Sequence, residues 1–275
     1  MSSSSPNENQ HRARKRFGQN FLHDQQIISH IVRSISPKSD DNMVEIGPGK
    51  GAITELILDS CQNLNVVELD RDLIPILTAK FGHIPTFNIN QADALKFDFA
   101  TLGSLDRPLR IVGNLPYNIS TPLIFHLLSF SGLVKDMHFM LQKEVVLRMA
   151  AKASENNYGR LGIMTQYLCD VEHLFDVGPE CFDPQPKVDS AIVRLTPRAK
   201  PEYEALSTSL LENVVRTAFS QRRKTLRNTL KPLFTSEELE RLSIDPSLRP
   251  EVIALKDYVA LANFLHAKGD LNESL

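Results

Sequence analysis

Asn114-Leu115-Pro116-Tyr117 puts a side-chain amide, a backbone carbonyl next to a residue that cannot donate, and a flat ring into one short stretch. Asn and Pro alone are ordinary turn chemistry. The tetrad as a whole offers two acceptors and a stacking face to a planar group that carries an amine. Adenine has such an amine, but its lone pair is delocalised into the ring, which makes it a poor nucleophile. Two acceptors on the amine hydrogens draw the nitrogen toward tetrahedral geometry and free the lone pair. The apolar run Leu109-Arg110-Ile111-Val112 ahead of the tetrad marks the exit of a buried strand.

Three other stretches end in the same way. Met43-Val44-Glu45-Ile46 reads as a buried strand and runs into Gly47-Pro48-Gly49-Lys50-Gly51, then into a helix pattern at Ile53, Leu56 and Ile57. Strand, glycine turn and helix open a doubly wound α/β sheet, and glycine lets a ligand approach the backbone. The spacing is neither the Gly-x-Gly-x-x-Gly dinucleotide fingerprint nor a Walker loop. Asn65 to Asp70 is a second strand ending in acids. Glu68 suits the hydroxyls of a ribose, and Asp70 suits a cap for a helix from Leu73 to Phe81. Thr86 to Gln91 is a third strand, leading to Asp93, which can accept from an adenine amine or cap a turn. Four strand ends thus carry polar or glycine residues on one edge of a sheet, where open α/β sheets bind ligands.

The elements around these ends set the frame. His11 to Arg16 is strongly basic, Phe17-Gly18-Gln19-Asn20-Phe21-Leu22 has no periodicity and is expected to be a loop, and Asp24 opens a helix ended by Pro37. At 275 residues the chain suits one large domain and a small one, and a net charge of −2 confines any nucleic-acid footprint to local patches. The three cysteines, Cys61, Cys169 and Cys181, are far apart, which gives neither a disulfide framework nor a metal-ligand spacing. No apolar run approaches a membrane span, and the Ser/Asn-rich start is not a signal peptide. Residues 1–16 are read as a disordered basic tail, and the protein as cytoplasmic and monomeric. After Val193-Arg194-Leu195, residues 197–201 form a linker. From Glu202 the chain reads helical, with apolar positions Leu206, Leu210, Val214, Phe219, Leu226 and Leu230, and with Pro232, Pro246 and Pro250 between short helices.

The glycine loop after an acid, Glu68, Asp93 and above all Asn-Leu-Pro-Tyr resemble S-adenosylmethionine-dependent adenine methyltransferases. Phe17-Gly18-Gln19-Asn20-Phe21-Leu22 narrows the resemblance to the rRNA adenine dimethyltransferase family. Further matches are Leu141-Gln142-Lys143-Glu144-Val145, Tyr158-Gly159-Arg160-Leu161, Phe182-Asp183-Pro184-Gln185-Pro186-Lys187-Val188-Asp189-Ser190, and Ala218 through Asn228. The likeness covers the whole chain past the tail and points to the bacterial small-subunit branch. It implies a Rossmann-like class I methyltransferase sheet over residues 17–197 and a small all-α C-terminal domain over 202–275 that binds rRNA.

The resemblance also implies roles. S-adenosylmethionine is expected to lie along the strand ends, held by Asn20, Leu22, Gly47, Gly49, Glu68, Asp93 and Asn114. The target adenine is taken out of its stack, as in enzymes that act on bases. Asn114 and the Leu115 carbonyl hold its amine, with Pro116 shaping the turn, while Tyr117 and Phe182 stack on its two faces. No metal is required. Arg222, Arg223, Lys224 and Arg227, with Arg14, Lys15 and Arg16, are read as clamps on the rRNA backbone. The implied substrate is a pair of adjacent adenosines in the loop of the 3′-terminal hairpin of 16S rRNA, within the 30S subunit or its precursor.

Rival readings are a 23S rRNA adenine methyltransferase, a DNA adenine methyltransferase, and a ribosome-assembly factor whose RNA binding matters more than catalysis. A nicotinamide dehydrogenase is excluded by the glycine spacing.

Overall fold

The computed structural model describes residues 19–221 and 223–273. The expected tail at residues 1–16 lies outside that range. The first described element is a surprise: Phe21–Leu22 is a two-residue strand, β1, rather than a loop, and it pairs antiparallel with β8 (Phe182–Asp183). Helix α1 (Gln25–Ile35) follows the expected pattern. The Asp24 carboxylate accepts from the Gln26 and Ile27 N–H groups, both at 2.9 Å. Ile28, Ile31, Val32 and Ile35 form the buried stripe, and Ser36 leaves the helix with a left-handed φ of 49° before Pro37.

The main sheet then builds in parallel steps. It takes β2 (Asn42–Ile46), α2 (Ala52–Ser60), β3 (Leu64–Glu68), α3 (Ile74–Phe81), β4 (Phe87–Gln91), β5 (Leu109–Asn114), α4 (Ser120–Leu128) and β6 (Val134–Gln142). After α5 (Lys143–Ala150) and α6 (Arg160–Leu168) come β7 (Cys169–Val177), β8 and β9 (Ser190–Pro197). The strand order is β4-β3-β2-β5-β6-β9-β7, and β9 runs antiparallel to β6. β2 and β3 are buried along their whole length, as expected for a sheet covered on both faces.

The chain winds outward from β2 through β3 to β4, then returns to β5 on the other side. The reversal lies between β2 and β5, and open sheets bind ligands in the crevice at that point. Register lines up the carboxyl ends there: Ile46 pairs with Val67 and Gly113, and Glu68 with Gln91.

The C-terminal elements are α7 (Thr208–Ala218), α8 (Leu226–Thr229), α9 (Ser236–Arg241) and α10 (Leu255–Glu273). All four are helical, and Pro250 opens a single 3-10 turn. The buried stripe of α7 is Leu211, Val214, Val215 and Ala218. Val214 is on the expected face, while Leu206 lies ahead of the helix and is 62% exposed, and Leu211 rather than Leu210 is buried. The chain falls into two compact units. One runs to Val146 and includes Glu172–Pro197, and the other joins Leu147–Val171 to Arg198 and beyond. The helical unit therefore takes in α6, which a boundary at residue 197 assigns to the sheet.

Candidate active site

A cavity of about 480 Å³ opens at the carboxyl edge of β2, β3 and β5, a size ordinary for a small-molecule site. Its floor is the glycine turn. Gly47, Gly49 and Gly51 have φ of 67°, 60° and 86°, a region costly for residues with a Cβ. A Cβ on Gly49 would stand 3.2 Å from the Phe21 ring, and the Gly47 N–H donates to Val67 O at 2.9 Å. β1 thus lies against the turn, and Lys50 sits over the Phe21 ring, 4.9 Å from its centroid.

Three carboxylates face this floor. Glu45 is buried and accepts from the Thr54 hydroxyl at 2.6 Å. Burial, with the Glu68 charge adding to it against the Thr54 hydrogen bond, pushes Glu45 up to about 7. Burial likewise raises Glu68 above the ordinary carboxylate range, although N–H groups of Asp70, Gly49 and Leu69 pull the other way. Glu68 Oε1 accepts from the Asp70 N–H at 2.7 Å. Among the described residues neither Glu45 nor Glu68 has an ion-pair partner. Asp93 lines the far side, with Oδ1 accepting from the Leu95 N–H at 3.0 Å. Asp70 caps the turn before α3, taking the Asp72 N–H at 3.2 Å, while the residue that caps α3 itself is Leu73.

β5 runs on through Asn114, two residues further than the apolar run alone suggests. Asn114 Nδ2 donates to the Asn20 carbonyl at 3.1 Å, which fixes the amide and turns Oδ1 into its acceptor end. The Leu115 N–H donates to Met140 O at 3.1 Å, and its side chain is buried. Pro116 O takes the Ile119 N–H at 3.1 Å, closing the turn into α4. Tyr117 lines the cavity, with Oη 2.9 Å from Ser190 Oγ. Asn20, Leu22, Gly47, Gly49, Glu68, Asp93 and the whole tetrad therefore border one cavity.

Phe182 is the exception. Its side chain is only 2% exposed and packs in the core with Leu22, Ile28 and Cys181, whereas its neighbour Asp183 borders the cavity. The second stacking face expected of Phe182 is not on the cavity surface. An apolar residue beyond a turn gives no periodicity to separate a pocket wall from a core position. Gly113 was missed, although a glycine inside a strand pattern signals close backbone approach. A Cβ there would stand 2.6 Å from Ile46 O, so Gly113 permits β2 and β5 to meet at the crevice. Ser190 ends a stretch that resembles the family, but no local pattern pointed to its bond with Tyr117.

In the helical unit Arg223, Lys224 and Arg227 are exposed, where the chain turns into the four-residue α8. The Arg227 N–H donates to Pro246 O at 3.0 Å. Arg222, Arg14, Lys15 and Arg16 lie outside the described residues. All three cysteines are free and buried. Among the described residues no group of three or more His, Cys, Asp or Glu could hold a metal ion, and no helix is long and apolar enough to cross a membrane.

Known proteins resemble the chain along nearly all of it. The family model for ribosomal RNA adenine dimethylases matches residues 10–266. A ribosomal RNA small subunit methyltransferase A from Saccharophagus degradans is 64% identical over 255 residues, 93% of this chain and 95% of that protein. Its namesake from Pseudomonas aeruginosa is 60% identical, covering 93% and 96%. Among solved structures, a dimethyladenosine transferase from Plasmodium falciparum superposes with a TM-score of 0.78 at 27% identity, over 90% of this chain and 98% of that one. The 23S rRNA methyltransferase ErmE shares the fold, with a TM-score of 0.70 at 24% identity, over 90% of this chain and 100% of that one.

Proposed function

The chain belongs to the ribosomal RNA adenine dimethylase family, and from that premise we propose that it dimethylates adenosine N6 in small-subunit rRNA. Its substrate in this reading is the pair of adjacent adenosines in the 3′-terminal hairpin loop of 16S rRNA. It acts as a monomer in the cytoplasm, on the 30S particle or its precursor. S-adenosylmethionine, when bound, supplies a methyl group on a positively charged sulfur.

The cavity fits that cofactor. The Gly47–Gly49 floor leaves backbone uncovered for its amino-acid part, and in this reading Glu68 and Asp93, which both line the cavity, take the ribose hydroxyls and the adenine amine respectively. Asn20 and Leu22 close the near side. Two raised carboxylates without a cation also suit a positively charged guest.

One observation carries the catalytic reading. The Asn20 carbonyl holds Asn114 Nδ2, so Asn114 Oδ1 is presented as an acceptor at the point where the sheet order reverses. Beside it no backbone hydrogen bond to the Leu115 carbonyl is formed among the described residues. Asn114 Oδ1 and the Leu115 carbonyl accept the two amine hydrogens, and the lone pair localises on nitrogen. Tyr117 stacks on the base, worth about 1–3 kcal/mol. Rate comes from positioning, since the reactants are held rather than found. The amine accepts two methyl groups in turn, so its acceptors must tolerate the loss of one hydrogen. The exposed Arg223, Lys224 and Arg227, together with Arg222, Arg14, Lys15 and Arg16, grip rRNA phosphates without reading sequence.

The test is transfer of labelled methyl from S-adenosylmethionine to small subunits that lack the modification, followed by digestion to nucleosides. Dimethyladenosine from 16S rRNA is the expected product. Label confined to 23S rRNA or DNA keeps the chemistry and removes the substrate. Tight subunit binding with no label removes the enzyme and leaves an assembly factor.

A further inference from the structure

The antiparallel pairing of β6 with β9 in the main sheet has a chemical consequence at the site. A parallel strand presents its last residues at the carboxyl edge, but an antiparallel one presents its first. Ser190, the first residue of β9, pairs with Gln142, the last of β6. The Lys143 N–H donates to Asp189 O at 2.9 Å, which pins the same strand end. Ser190 is fully buried, and Ala191, Ile192 and Val193 after it are buried and apolar. A buried hydroxyl in such a setting is costly without a partner. Its partner is Tyr117 Oη, at 2.9 Å.

Tyr117 needs that partner as much as Ser190 does. Its backbone carbonyl is tied to the Ser120 hydroxyl at 3.2 Å, and the Pro116–Ile119 turn holds the chain. Neither tie fixes the ring, whose second torsion is intrinsically broad. A ring that stacks on a base is useful only with its plane held against the base plane. The one polar atom by which the ring can be held is its hydroxyl, and β9 supplies an immobile anchor for it.

We propose that Ser190 is a positioning residue for the target base, acting through its hydrogen bond to Tyr117 to hold the ring at its stacking angle. The proposal rests on the reading of Tyr117 as the stacking residue. Ser190 touches neither substrate nor cofactor in this role, so its whole effect on turnover passes through the Tyr117 hydroxyl.

The test is a double-mutant cycle on the full chain with unmethylated small subunits, using Ser190→Ala, Tyr117→Phe and the double variant. Each single variant is expected to lower kcat/KM for methyl transfer about 3- to 10-fold, the range of one hydrogen bond. The double variant is expected to lose no more than either single one, because both remove the same bond. Cofactor affinity, measured by direct titration, is expected to stay at the wild-type value in all three. Losses that multiply in the double variant overturn the proposal, as does weakened cofactor binding in Ser190→Ala, which would mark a general structural role. Tyr117→Phe leaves β9 untouched, so full activity in that variant overturns the proposal even if Ser190→Ala does not fold. Wild-type protein that methylates no adenosine removes the functional reading, and the proposal with it. Wild-type activity with unaffected variants removes the proposal alone.

Discussion

The two edges of the central sheet handle buried charge in opposite ways. At the amino edge, Arg110 of β5 is buried between carboxylates, with Nη1 2.5 Å from Asp41 and Nε 3.0 Å from Asp136. Its remaining N–H groups go to the carbonyls of Ile35 and Ser36 at 2.6 and 3.2 Å. Burial alone would raise Asp41 and Asp136, but hydrogen bonds from Arg110 to both, with His138 Nδ1 standing 3.5 Å from Asp136, hold them below the ordinary carboxylate range. At the carboxyl edge, Glu45 and Glu68 have only N–H and hydroxyl donors, and both are raised. Each charge at one edge has its counter-charge in the chain. At the other no counter-charge is present among the described residues, and in the proposed function a cationic cofactor supplies it. The site is thus a region where the protein forgoes stability, as functional sites often do.

The pH signatures differ in sign. Asp41 and Asp136 have lowered folded values, so their contribution is present above the unfolded carboxylate value and is lost as pH falls through the folded one. Glu45 has a raised folded value. Between the ordinary 4.5 and about 7 the folded state binds more protons, so its contribution is present at low pH and lost as pH rises.

The contrast is broken most sharply at the amino edge. Arg110→Met takes away the buried cation shared by Asp41 and Asp136, leaving Asp41 only the exposed Lys135, and is expected to cost about 3–5 kcal/mol, read as a fall in Tm. Next comes Glu45→Gln, which keeps an acceptor for Thr54 but removes the titration. Unfolding by denaturant is expected to show it more stable than wild type by up to about 3 kcal/mol above pH 7, with the gap closing toward pH 4.5. Wild-type cofactor affinity is expected to rise over the same interval as Glu45 ionises, and that rise should vanish in the variant. Glu68→Ala should weaken S-adenosylmethionine binding about 10- to 100-fold in a direct titration, the range of a hydrogen bond to a charged group, with little loss of Tm. The smallest effect belongs to Lys135, which is 52% exposed and 3.4 Å from Asp41. Lys135→Met is expected to change stability by less than about 1 kcal/mol, and by still less at high salt.

What the sequence disclosed divides along physical lines. Strand ends with glycine or acid were legible because a buried strand followed by a turn is a local pattern. Gly47, Gly49, Glu68, Asp93 and Asn114 could therefore be singled out, and they border one cavity. The pairing of Phe21–Leu22 with Phe182–Asp183 was not legible, because a two-residue strand has no period and its partner is far away in the chain. The core position of Phe182 was hidden for the same reason. On α7 Val214 was read correctly, but Leu210 was taken in place of Leu211, because both fit a helical stripe and only packing decides between them. Ser190 was legible only as the end of the stretch Phe182 to Ser190, since its bond to Tyr117 depends on the direction in which β9 enters the sheet.

The closure of the site by β1 and β8 bears on how the protein is made. Its glycine turn and tetrad leave the ribosome well before the residues that finish their walls. Until Phe182 has emerged, Phe21 and Leu22 have no strand to pair with, and until Ser190 follows, the Tyr117 hydroxyl has no anchor. The half-made chain carries the Asn-Leu-Pro-Tyr tetrad without the frame that aims it. Emergence of Ser190, the first residue of β9, therefore sets the earliest moment in synthesis at which the Tyr117 hydroxyl can be anchored.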